Sequence, residues 1–199
     1  MTEPRYDVIA IGNAIVDVMS PCTEELIDEL DLNKGGMTLV DEDGAQRLYE
    51  AMGPAREISG GSAANTLAGM SALGAQCAFV GQVAKDQLGD VFTHDIRAVG
   101  IDFDTPSRDG QPSTARCLIF VTPDGERTMN TFLGASQFLP PAAFGPGATR
   151  VLRAAYSAQL GGARNNKVWQ PSFTLDAESW RLRHGRHWTV FSCHTFISY

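Results

Sequence analysis

Two short stretches of this chain hold side chains that could grip a ligand rich in hydroxyl groups. Asp17 stands among Ile15, Val16, Val18 and Met19, four residues after Asn13. A carboxylate in such apolar company is costly to bury unless something partners it, and it can accept hydrogen bonds from vicinal hydroxyls. A turn aspartate bonding its own backbone is the other reading of the same residue. The second stretch is Ser59-Gly60-Gly61-Ser62-Ala63-Ala64-Asn65. Adjacent glycines let a backbone pass close to a ligand. Ser62 reads as a helix N-cap, and Asn65 falls in the first turn, where its amide can both donate and accept. A helix beginning on a glycine turn directs free N–H groups and its positive dipole end at whatever lies before it. An ordinary glycine-rich loop ahead of a core helix is the plainer reading.

Other chemistries find little support. Cys22, Cys77, Cys117 and Cys193 are scattered with no CxxC pair, which fits reduced thiols in a cytoplasmic protein better than disulfides or zinc. His184 and His187 are three apart, but no third ligand has suitable spacing for a metal. The net charge of −7 argues against nucleic acid as a partner. No apolar run approaches the ~20 residues that span a bilayer, and the first six residues lack the features of a signal peptide.

The elements that must position the polar groups alternate in type. Residues 6–11 form a β-branched run ending at Gly12, a buried strand by its pattern. In an open α/β sheet, ligands bind beyond the carboxyl ends of such strands, which is where Asn13 and Asp17 follow. Residues 23–30 predict an acidic amphipathic helix capped by Thr23, and residues 34–40 a turn into a short strand. Asp41 caps a helix with Ala45, Leu48, Tyr49 and Met52 on one face, and Leu67, Met70 and Leu73 give the helix after the glycines its apolar spacing. A strand over 76–83, a helix over 86–99 stopped by Gly100, and a strand over 101–105 complete the order. Strand and helix in alternation imply a parallel, doubly wound sheet. Residues 115–121 and 126–132 then flank Thr122-Pro123-Asp124-Gly125 as a hairpin. It either covers the mouth of a site or is a plain edge hairpin.

Taken together, these motifs resemble the ribokinase (PfkB) family of sugar and nucleoside kinases, in its adenosine-kinase-like branch. The resemblance rests on Gly12-Asn13 followed by Asp17, on Gly60-Gly61 followed by Asn65, on Leu73-Gly74 and the strand after it, on Asp86-Gln87-Leu88-Gly89, and on Gly100-Ile101 leading to the hairpin. It runs from residue 6 to about 140. Leu67 stands where strict forms have a small residue, and Ala84 where they have glycine. The resemblance implies an α/β, ribokinase-like, doubly wound and mostly parallel sheet with a small β lid at about residues 34–40 and 113–133, incomplete on its C-terminal side. It implies that Asp17 holds ribose hydroxyls, that Asn13, Gly61 and Asn65 complete the sugar contacts, and that Gly60 and Ser62 shape the turn. ATP and Mg²⁺ as cofactors, a sugar or nucleoside as partner, and a homodimer contact through the lid are implied in the same way.

The family's catalytic half carries an Asp-Thr-x-Gly-Ala-Gly-Asp motif, whose last aspartate is the base. That motif is absent here, and Leu160-Gly161-Gly162-Ala163-Arg164 has no aspartate. No catalytic or metal-binding residue is therefore assigned. Residues 1–144 contain 9 Lys and Arg against 21 Asp and Glu, a net −12, while residues 145–199 contain 7 against 2, a net +5. Trp169, Trp180 and Trp188 fall in the second part, and residues 181–187 and 191–199 show no sustained period. The expectation is a frameshift or early truncation after about residue 144, leaving a sugar-site half with uncovered apolar sheet edges and a non-matching tail. Such a chain would be inactive alone. A non-catalytic nucleoside- or partner-binding module, or a fragment without function, are the alternatives.

Overall fold

The structure is a computed structural model that describes residues 6–140 and the backbone of 189–192. The break near residue 144, the three tail tryptophans, His184, His187 and the 160–164 glycine cluster lie outside the described residues. Among the described residues no helix is long and apolar enough to cross a membrane.

Two sheets share one core. The first contains β1 (Val8–Ile11), β5 (Cys77–Val80) and β6 (Ile101–Asp102), with β9 (Thr189–Ser192), in the order β6-β5-β1-β9 and parallel throughout. The crossovers are made by α3 (Ser62–Ala72) and α4 (Gln87–Ala98), so the strand–helix alternation read from the sequence builds the parallel sheet it implied. Phe79, Phe92 and Phe103 meet beneath it with ring centroids 5.4–5.9 Å apart. β9 is a departure from the expectation, because residues 191–199 show no period and apolar sheet edges were expected to be left uncovered. Thr189-Val190-Phe191-Ser192 is too short for a period to register, yet its β-favouring residues pair with β1 over its whole length.

The second sheet is larger than the lid expected. β2 (Ile15–Pro21), β3 (Met37–Leu39), β4 (Arg56–Gly60), β7 (Ala115–Val121) and β8 (Arg127–Phe132) pair in the order β3-β8-β7-β2-β4. The predicted hairpin is present as β7 and β8, closed by a turn in which Gly125 adopts φ 85° and donates to the Thr122 carbonyl at 2.9 Å. The additions are β2 and β4. No element is assigned to residues 15–21 from the sequence, but Ile15, Val16 and Val18 favour extended backbone and pair in parallel with β7.

Alternation along β2 and β7 gives this sheet two faces. Val16, Val18, Leu118 and Phe120 join the main core, together with Ile27 of α1 (Glu24–Glu29) and with Ala45 and Leu48 of α2 (Glu42–Ala51). Ile15, Ala115, Cys117 and Ile119 form a second cluster on the opposite face, with Met19, Val121, Met129 and Leu133 against it. Thr23 and Asp41 cap α1 and α2 as expected, each side chain accepting from the backbone N–H three residues on. Tyr49 and Leu73 fall on the apolar faces of their predicted helices; in the structure Tyr49 lies under the Arg116 guanidinium, and Leu73, just past the end of α3, is 90% exposed.

Candidate functional site

The polar residues singled out from the sequence meet where the chain passes from one sheet to the other. Asp17 is in the middle of β2, opposite Ile58 of β4 and Cys117 of β7. The turn-aspartate reading is thereby overturned: Asp17 sits in a strand, and its side chain, on the apolar face carried by Ile15 and Met19, hydrogen-bonds no described residue. Burial there pushes its carboxyl up from 3.8 to about 6, with the Arg127 guanidinium pulling the other way. Thr131 Oγ1 donates to Cys117 Sγ at 3.3 Å, and burial raises that thiol to about 11, the Asp17 charge adding to the shift.

Gly60 ends β4 directly against Asp17. A Cβ at Gly60 would overlap the Asp17 carboxyl carbon and both oxygens, so only glycine leaves the carboxylate its place. Gly61 follows with φ 92°, and a Cβ there would stand 2.8 Å from the Asn13 carbonyl oxygen. A Cβ on Gly12 would lie 2.7 Å from that of Ala63. These three glycines let the β1–β2 link and the start of α3 lie against one another.

Gly61, not Ser62, is the N-cap of α3, and no side chain caps that end. Ser62 was expected to cap the helix, but the left-handed turn at Gly61 starts it one residue earlier, with Ser62 as its first residue. The first-turn N–H groups consequently lack a side-chain acceptor, which leaves them directed at the glycine turn. Asn65 donates its backbone N–H to the Gly61 carbonyl at 2.9 Å, and the side chains of Asn13, Ser62 and Asn65 are exposed. The structure thus brings Asp17, Gly60, Gly61 and the Asn13 backbone together, with Ser62 and Asn65 on the adjoining turn of α3. Cys117, Thr131 and Arg127 complete the surroundings of Asp17. Sequence reasoning missed them because they come from strands about 100 residues away, and no local signal could have joined them.

An open cleft of about 380 Å³ between α1, α2 and β3 shares no residue with this cluster. Among the described residues no three His, Cys, Asp or Glu side chains gather to hold a metal ion.

Gly60→Ala is expected to displace the Asp17 carboxylate while sparing the fold. The cost in stability should be about 1–3 kcal/mol, the usual range for overpacking. A melting curve and a ligand titration on the same sample check both halves of this expectation.

The profile of pfkB family carbohydrate kinases matches residues 39–159, more than half of the chain. Adenosine kinase from Sinorhizobium meliloti is 54% identical over 70% of this chain and 43% of its own, with a TM-score of 0.66. A probable sugar kinase from Rhizobium etli CFN 42 is 52% identical over 70% of this chain and 42% of its own, with the same TM-score. Anopheles gambiae adenosine kinase, solved in complex with P1,P4-di(adenosine-5) tetraphosphate, is 21% identical with a TM-score of 0.61 over 73% of this chain and 46% of its own, a likeness of fold. No curated protein matches. The chain spans less than half the length of each of these structures.

Proposed function

The chain belongs to the pfkB carbohydrate kinase family, and on that premise we propose that residues 6–140 form the sugar-binding half of an adenosine-kinase-like site. The family uses ATP, and the reaction class is transfer of a phosphoryl group to a hydroxyl of a sugar or nucleoside. One observation carries the reading. Asp17 is a carboxylate on an apolar face, without a hydrogen-bond partner among the described residues, and glycine alone fits against it. A ribose with vicinal hydroxyls supplies the two donors that such a carboxylate lacks.

In this reading Asp17 accepts from the ribose hydroxyls, and the side chains of Asn13 and Asn65 donate to and accept from the rest of the polyol. Gly60 and Gly61 allow the sugar ring to approach backbone, and Ser62 sits at the turn where the uncapped N–H groups of α3 begin. β7 and β8, with β3, act as the lid that excludes water. The lid strands also supply the contact for a homodimer, which sedimentation of the chain would read as a dimer.

Mg²⁺ in such reactions is held by one or two carboxylates together with the substrate phosphates and water. The sequence holds no Gly-Ala-Gly-Asp run to supply a base. We therefore expect the 199-residue chain to bind adenosine or ribose without turning it over. Calorimetric titration with each compound tests the binding. ATP-dependent appearance of any phosphorylated ribose compound from the pure chain would overturn the second part.

A further inference from the structure

We propose that Asp95, on α4, is a positioning residue that pins the glycine turn of the sugar site in place. The inference rests on the reading of that site given above. Asp95 Oδ2 accepts the backbone N–H of Ser59 at 3.0 Å, and its other oxygen lies 3.1 Å from His94 Nδ1.

Asp95 sits badly for its own helix. It lies in the last turn of α4, where a negative charge meets the negative end of the helix dipole. Aspartate is also a poor residue for a helix interior. Its carboxylate is nevertheless only 29% exposed. What it gains is the bond to Ser59. β4 is an edge strand of the second sheet, and Ser59 pairs across it with Val16. The outward N–H of an edge residue has no strand to bond, so Asp95 takes the place of the missing neighbour.

The position of that bond gives it a consequence for the site. Ser59 N–H is the last backbone donor before Gly60 and Gly61. Gly60 lies against the Asp17 carboxyl with no room for a Cβ, and Gly61 starts α3 with its left-handed φ. A shift of Ser59 moves both glycines relative to Asp17. The bond from α4 therefore sets the distance between the carboxylate and the helix start that face the same sugar.

Asp95→Ala and Asp95→Asn, made in the full chain, separate this role from a structural one. Alanine is the better helix former and removes the charge from the dipole's wrong end, so the melting temperature of Asp95→Ala should stay close to that of the unaltered chain. Adenosine affinity should fall about tenfold in Asp95→Ala, the worth of one charge-assisted hydrogen bond. Asp95→Asn keeps an acceptor for Ser59 and should restore most of that loss. Unchanged affinity in Asp95→Ala overturns the proposal, as does an equal loss in both variants. Should the unaltered chain bind neither adenosine nor ribose, the functional reading fails, and amide exchange at Ser59 decides the pin separately. Faster exchange at Ser59 in Asp95→Ala, slowed again in Asp95→Asn, supports it, and equal rates overturn it.

Discussion

Asp17→Ala should reduce adenosine and ribose affinity by two orders of magnitude or more while leaving the unliganded chain at least as stable as before. The loss follows from removing a charged acceptor of two hydroxyl hydrogen bonds, each worth roughly 1.5–3 kcal/mol. The retained stability follows from what burial does to Asp17. Its carboxyl is pushed up to about 6 by loss of water, with only the Arg127 guanidinium opposing the shift. An ionised carboxylate in that place is a cost to the free protein, and alanine removes it. Function and stability pull against each other at this residue.

The same shift predicts two pH dependences of opposite sign. In the free chain the folded value lies above the unfolded 3.8. The folded state then holds the proton more tightly between about 4 and 6. That contribution to stability is fully present below pH 3.8 and is lost as pH rises through about 6, an effect on the order of 3 kcal/mol. Asp17→Asn should abolish it. Ligand binding runs the other way, because the hydroxyls need the ionised acceptor. Adenosine affinity should be flat above about pH 7 and fall close to tenfold per unit below about pH 6. Melting curves with and without adenosine between pH 5 and 8 read both effects on one sample, and a ligand-induced stabilisation that grows towards pH 5 would contradict the assignment.

How far the site could be read in the sequence depends on how local each contact is. Asp17 stood out because four apolar neighbours surround it within the sequence itself, and the glycine pair because Gly60 and Gly61 adjoin a helix pattern. What could not be read was the strand that delivers the glycines. β4 is Arg-Glu-Ile-Ser-Gly, polar and glycine-ended, and it is a strand only because β2 pairs with it in antiparallel register. The lid was legible as a hairpin, since the turn at Thr122–Gly125 is local, but not as five strands, since β2 joins it through pairing with β7 about 100 residues later. The N-cap of α3 was misplaced by one residue for a related reason. A serine in the right place is a local signal, whereas the left-handed φ of Gly61 goes with the packing of its backbone against the Asn13 carbonyl, 48 residues earlier.

The Asp86-Gln87-Leu88-Gly89 motif shows the same limit and leads to the largest stability effect in the described chain. Asp86 caps α4 by accepting from Gly89 N–H at 2.8 Å, which its spacing to Gly89 suggests. Its remaining bonds reach across the fold to Thr114, the residue before β7. Thr114 donates its backbone N–H to Oδ2 at 2.8 Å and its hydroxyl to Oδ1 at 2.6 Å, while the same hydroxyl accepts from Ala84 N–H at 2.9 Å. Thr114 is fully buried, so no water can replace a lost partner. Gly89 must be glycine here, because a Cβ would strike the Ala84 carbonyl. One carboxylate therefore ties the start of α4 to the point where the lid sheet leaves the parallel sheet.

Asp86→Ala should remove the cap, worth about 1 kcal/mol, strand the buried Thr114 backbone N–H at about 1–3 kcal/mol, and leave the Thr114 hydroxyl only the Ala84 carbonyl at 3.5 Å, a further loss of about 1 kcal/mol. The sum is near 4 kcal/mol, a large part of the 5–15 kcal/mol that typically holds a domain together. A fall in melting temperature of roughly 10 °C or more is expected for a domain of this size. Asp86→Asn keeps the cap and one acceptor but turns an N–H₂ towards a donor, so about half of the loss should remain. Denaturant unfolding of both variants checks the order. Equal stability of Asp86→Ala and the unaltered chain would mean that the lid sheet is held at this crossing by packing alone, with the hydrogen bonds merely following it.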